Sequence, residues 1–187
     1  MHYVLEQYGL DGQPRRVVAS YPRIRGIRSW QLGQKFEVEV SAPIVIELEP
    51  GEAVDPPALI NSTMLVMRND LVACIRDAGV TNFDAYPTVL RDPAAGREWR
   101  DYVSVNVIGL VAAADFKQSS YRLNDSRPMI NVDFDSLVID ETKALGLKMF
   151  RLAECVTAII IDDATKRHLE THGFKMLDFV PTTEWAG

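Results

Sequence analysis

Residues 155–181, CVTAIIIDDATKRHLETHGFKMLDFVP, carry the plan of the chain. Val156 to Ile161 is a short apolar run rich in β-branched side chains and predicts a buried strand. Asp162 and Asp163 can accept from the free N–H groups of a following helical turn. Ala164 to His172 then predicts a short helix, with Gly173 as its left-handed stop. Phe174 to Val180 predicts a second strand, closed by Pro181. The unit is strand, helix, strand.

Thr63 to Pro87 (TMLVMRNDLVACIRDAGVTNFDAYP) repeats that order. Gly79 and Gly173, Asp84 and Asp178, and Pro87 and Pro181 all stand 94 positions apart, and Val38-Glu39-Val40 falls on Val132-Asp133-Phe134 at the same offset. The expectation is a single α+β domain over residues 1–187, with a mixed or antiparallel sheet and a few short helices. The spacing suggests a pseudo-duplication, about 1–93 and 94–187, whose halves share one sheet. The competing explanation is that any two strand-helix-strand units align this well.

Composition sets the class. Of the 187 residues 47% are hydrophobic and 25% charged, which is ordinary for a globular domain. No apolar run approaches the ~20 residues that span a bilayer, and the start, Met1-His2-Tyr3-Val4-Leu5-Glu6, is not a signal peptide. A cytoplasmic protein without membrane contact is expected. Two cysteines make no disulfide framework. Cys74 falls on a helix stripe with Leu71, Ile75 and Ala78, and Cys155 at a strand edge, so both read as small buried hydrophobes.

The net charge of −6 is unevenly spread. Residues 1–36 hold six basic and two acidic side chains, net +4, which leaves 14 basic and 24 acidic in the remainder, net −10. A mostly acidic body disfavours nucleic acid and favours a basic partner. Tyr21 and Trp30 within the basic segment raise a nucleic-acid reading; the preferred one is an arginine-rich lead-in whose stems pack on the acidic body.

Along the chain, Tyr3 to Gln7 predicts a first strand and Asp11 to Pro14 a turn. Lys35 to Val40 alternates and predicts a strand with one wet face, followed by extended Ala42 to Ile46 with Pro43 marking an edge or bulge. Glu49 to Pro57 reads as an exposed loop. Asn69 to Ala78 predicts a helix lying on a sheet, with Leu71, Val72, Ile75 and Ala78 inward. Strands are expected over Asn82 to Leu90, Tyr102 to Ala113 and Met129 to Ile139, with a turn at Arg91 to Trp99 and a polar loop at Asp115 to Arg127.

Several residues invite chemistry. His168 and His172 stand four apart on one helical face, as a metal pair must. Glu170 lies about 200° round from each, however, so the metalloprotease arrangement is missing, and His172 beside the stop can simply serve the helix dipole. Asp133 and Asp135 project from one strand face about 6 to 7 Å apart. A pair at that distance could serve a hydrolase or hold a hard divalent cation. Any solvated acidic strand produces the same spacing. A binding role is preferred, with Asp133, Asp135, Asp140, Glu141, Asp162 and Asp163 as one acidic surface if their strands are neighbours. Ser119 and Ser120 lack a nucleophile elbow, and the glycines form no phosphate or dinucleotide loop. No pattern calls for a cofactor or a bound metal. Trp99, beside a turn, is open to either a core or an interface role.

From about residue 60 onward the order of motifs resembles a family of bacterial immunity proteins of polymorphic toxin systems, immunity protein eleven. The residues that carry it are Val66-Met67-Arg68, Gly79 to Pro87, Asp101 to Val107, Asp115 with Ser119-Ser120-Tyr121, Met149 to Glu154, and the closing unit to Gly173. The first 60 residues match little, and Gly173-Phe174-Lys175-Met176 departs from the pattern. The resemblance implies a non-enzymatic protein that binds and occludes a cognate toxin, one with a basic active surface given this chain's acidic body. It transfers no catalytic residue. The expected contact residues are Trp99, Asp133, Asp135, Asp140, Glu141, Asp162 and Asp163. The competing function is a small hydrolase or metal-dependent enzyme using Asp133 and Asp135. Oligomeric state stays open, a homodimer included.

Overall fold

A computed structural model describes residues 1–6, 18–50, 55–123, 132–174 and 177–187. In chain order the first elements are β1 (His2–Glu6), β2 (Val18–Ser20), β3 (Ile44–Leu48), β4 (Leu59–Asn61), β5 (Leu65–Arg68), α1 (Asn69–Asp77), β6 (Phe83–Asp92) and β7 (Arg97–Val107). They are followed by β8 (Leu110–Val111), β9 (Ser120–Leu123), β10 (Val132–Ser136), β11 (Met149–Leu152), β12 (Ile159–Asp162), α2 (Asp163–Thr171) and β13 (Asp178–Pro181). The class is α+β, with two short α-helices and thirteen strands among the described residues. The turn expected at 11–14, the middle of the loop at 49–57, and residues 124–131 and 175–176 of other expected segments lie outside the described residues.

Local chemistry explains both helices. α1 buries Leu71, Val72, Cys74 and Ile75, the stripe its spacing predicts. Asp70 secures its first turn by accepting the Leu71 N–H at 2.8 Å while gripping Arg68 through two further 2.8 Å bonds. The Arg68 guanidinium holds the Asp70 carboxyl below the usual carboxylate range. The chain leaves α1 through Gly79 at φ +88°, where a Cβ would stand 2.7 Å from Lys148 Nζ. That ammonium donates to the Ala78 carbonyl at 2.6 Å, so the space is already used. α2 opens on Asp162, whose carboxylate accepts the Thr165 N–H at 2.7 Å, and it stops at Gly173, φ +94°.

In both strand-helix-strand units the two strands run parallel with one antiparallel strand between them. β7 separates β5 from β6, and β1 separates β12 from β13. The expected single shared sheet is corrected by the topology. A six-stranded sheet runs β2-β3-β6-β7-β5-β4, a five-stranded sheet runs β13-β1-β12-β11-β8, and β9 and β10 pair by themselves.

The division turns on residue 109. Tyr102 to Ala113 reads as one strand, but β7 ends at Val107 and β8 begins at Leu110 in the other sheet. Gly109, at φ +128°, redirects the chain. Its N–H donates to the Gly33 carbonyl and its own carbonyl accepts the Arg151 N–H, each at 2.9 Å. Asn82 ties the sheets at the same point, its Nδ2 donating to the Ile108 carbonyl at 2.7 Å and the Met149 carbonyl at 2.8 Å. Between them lies a common core in which Leu65, Met67 and Val105 meet Tyr3, Met149, Ile159 and Ile161, with Leu71 and Ile75 from α1 and Leu169 from α2.

Two further expectations change. Lys35 to Val40 alternates but forms no strand. Phe36 instead packs edge-on against Trp30 with ring centroids 4.8 Å apart and stacks on Tyr86 at 5.9 Å, and the Gln34 carbonyl accepts the Asn106 side chain at 2.8 Å. Aromatic packing therefore holds it as irregular cover. The basic segment is seated by Tyr21, Ile24, Ile27 and Trp30 on the core that includes Ile44, Ile46 and Leu90. Among the described basic side chains Arg23, Arg25, Arg28 and Lys35 are exposed.

Candidate partner-binding surface

The pairing of β9 with β10 produces the most distinctive exterior. Along β10, Val132 and Phe134 are buried while Asp133 and Asp135 turn outward, as strand alternation requires. All four residues of β9 are exposed. Register places Arg122 opposite Asp133 and Tyr121 opposite Phe134. Arg122 Nη2 donates to Asp135 Oδ1 at 3.2 Å, a surface pair worth little to stability.

Above the buried Phe134 ring sit two exposed aromatics. Phe116 and Tyr121 have centroids 4.8 Å apart, and each lies within 6.5 Å of Phe134, which in turn meets the buried Trp185 at 6.3 Å. Phe116 is 42% exposed, Tyr121 38% and Leu123 73%. Large apolar groups held half out of a packed core are the ordinary material of interface anchors.

The support beneath them is well bonded. Asp115 organises the preceding turn by accepting the Lys117 N–H at 2.9 Å and the Gln118 side chain at 2.6 Å. Those hydrogen bonds, Gln118 first, hold its carboxyl below the usual range. Ser119 Oγ accepts the Val138 N–H at 2.9 Å. On the other side of β10, Phe134 and Gly187 exchange two backbone hydrogen bonds of 2.6 and 3.0 Å.

The remaining expected contact residues lie elsewhere. Glu141, Asp162 and Asp163 border a hollow of about 320 Å³ with Met1, His2 and Arg167. The terminal amine and His2 Nδ1 approach Glu141 at 3.9 and 3.3 Å, and Arg167 pairs with Asp163. Burial lowers the His2 imidazole against the opposing pull of Glu141. Asp140 is engaged by the Thr142 N–H and hydroxyl, with Lys143 at 3.6 Å. β10 and β12 belong to different sheets, so the six carboxylates form two neighbourhoods, not one strand-by-strand face. Trp99 belongs to the six-stranded sheet, where it donates to Asp55 Oδ1 at 3.0 Å and lies under the Arg97 guanidinium at 4.7 Å.

Phe116, Tyr121 and Leu123 are absent from the residues expected on sequence grounds. The available signal was two aromatics and a leucine inside an otherwise polar run, 115–127. Only the pairing of β9 with β10 reveals that they share a face.

No helix among the described residues is long and apolar enough to cross a membrane. No curated protein matches the chain. The family model described as Immunity protein family (Imm11) matches residues 76–184, which hold α1's last turn, the crossing at Gly109, the β9–β10 surface and the second strand-helix-strand unit. With more than half of its length so matched, the chain belongs to the Imm11 immunity protein family.

Proposed function

We propose that the protein binds a cognate toxin and neutralises it by occluding the toxin's active surface, with no turnover of its own. The observation that carries this reading, beside family membership, is the exposed Phe116–Tyr121–Leu123 face on a β9–β10 ribbon whose opposite face carries Asp133 and Asp135. Apolar anchors held over a packed ring lose little side-chain freedom on binding, and outward carboxylates speed encounter with a basic active surface. Trp99 offers a second anchor. The partner is a protein acting in the same cytoplasm.

The test is co-purification with the product of the neighbouring toxin gene. Tyr121→Ala with Phe116→Ala is expected to speed dissociation. Asp133→Asn with Asp135→Asn is expected to slow association and flatten its salt dependence. Unchanged binding in both double variants would refute the assignment of the face. A catalytic turnover abolished by the Asp133 and Asp135 changes would restore the hydrolase reading.

A further inference from the structure

The helices of the two units lie side by side, and their contact places three ligand-type side chains together. Cys74 of α1 is buried, His168 of α2 half-buried, and His172 at the end of α2 exposed. One ligand atom from each lies within 4.8 Å of the other two. A tetrahedral ion with bonds of about 2.0 to 2.3 Å needs ligand atoms about 3.3 to 3.7 Å apart, so modest side-chain rotation closes the set.

The hydrogen bonding around the rings already suits coordination. His172 Nδ1 stands 2.7 Å from the His168 carbonyl, which can only accept, so Nδ1 carries the proton and the lone pair is on Nε2. A ligating imidazole is ordinarily oriented in this way, by donating its other N–H to a carbonyl. His168 Nε2 is buried and has no hydrogen-bond partner among the described residues. The two rings stack with centroids 4.0 Å apart, so both reach the same side of α2.

We propose that Cys74, His168 and His172 form a zinc site that bridges α1 and α2. One sulfur and two imidazole nitrogens select a borderline transition ion over magnesium or calcium. On binding, the Cys74 thiol releases its proton to solvent and the thiolate sulfur bonds to the ion. Water completes the fourth position on the exposed His172 side. The bridge closes the chain between residues 74 and 168 and so clamps one unit to the other.

The full-length protein is titrated with Co²⁺ as a spectroscopic stand-in and then with Zn²⁺. The expected result is one equivalent bound, with intense visible bands of a four-coordinate ion and a near-ultraviolet thiolate-to-cobalt band, both lost when Zn²⁺ displaces it. Cys74→Ser removes the thiolate band. His172→Ala gives up the bond to the His168 carbonyl and so lowers the metal-free Tm slightly, but it also loses about tenfold or more in metal affinity, and with it the rise in Tm that Zn²⁺ gives the unaltered protein, each variant compared with its own metal-free form. No stoichiometric uptake, a pale six-coordinate spectrum indifferent to Cys74→Ser, or equal affinity in His172→Ala would each overturn the site. Toxin binding plays no part in these readouts, so their failure leaves the proposed function standing.

Discussion

Replacing Arg151 by Met is expected to stabilise the protein. Arg151 lies in β11 with no exposed surface, and its Nη1 donates to the Val156 carbonyl at 2.9 Å. Nε and Nη2 have no partner among the described residues. Burial alone pushes its guanidinium down to about 10. At about 1.4 kcal/mol per pH unit, the gap from a free guanidinium corresponds to about 3 kcal/mol of penalty on the charged form. Methionine keeps an unbranched stem in the core and removes the charge, while the orphaned Val156 carbonyl returns about 1 kcal/mol of cost. The balance is about 2 kcal/mol in favour of Arg151→Met, or a Tm higher by about 4 to 8 °C for a chain of this size.

Scanning calorimetry together with urea unfolding measures the change. Because the folded value of Arg151 lies below its unfolded one, the penalty is fully present below about pH 10 and fades as pH rises through it. The advantage of the Met variant should therefore be constant near neutrality and shrink above about pH 10. A fall in Tm at pH 7 would refute the reasoning, because it would mean that the guanidinium is a net contributor to the core.

Asn82→Ala removes the amide that serves both the Ile108 and Met149 carbonyls. A loss of about 2 kcal/mol is expected, seen as a lower urea midpoint at unchanged slope. Burial raises the Glu154 carboxyl above its ordinary value, and one of its oxygens is buried without a partner among the described residues. A raised folded value means stability that is present at acid pH and lost as pH rises through that value. Glu154→Gln, whose amide oxygen can still accept the Ala114 N–H, should match the unaltered protein at acid pH and exceed it at pH 7 in urea unfolding.

Much of the fold is local and so was legible. The apolar stripe of α1, the aspartate at the start of α2 and the glycines after both helices depend on neighbours a few residues away. Alternation also placed Asp133 and Asp135 outward and Phe134 inward. Periodicity failed at Tyr102 to Ala113, where the buried end of β7 and the short, more exposed β8 of the other sheet abut at Gly109 and make one apolar run. It failed again at Lys35 to Val40, where a favourable alternation yields to the packing of Phe36 on Trp30 and Tyr86.

The candidate sites divide along the same line. Sequence determined the α+β class, both helix units, the acidic body and, through its motif order, the immunity family. Tertiary structure alone decided that Phe116, Tyr121 and Leu123 share an exposed face, that the six carboxylates fall into two neighbourhoods, and that Cys74 meets His168 and His172. The physical reason is range. Caps, stops and amphipathic stripes are settled by backbone hydrogen bonds and side chains within a turn or two, whereas surfaces and ligand sets assemble from residues up to about half the chain apart, whose meeting depends on how the sheets pack.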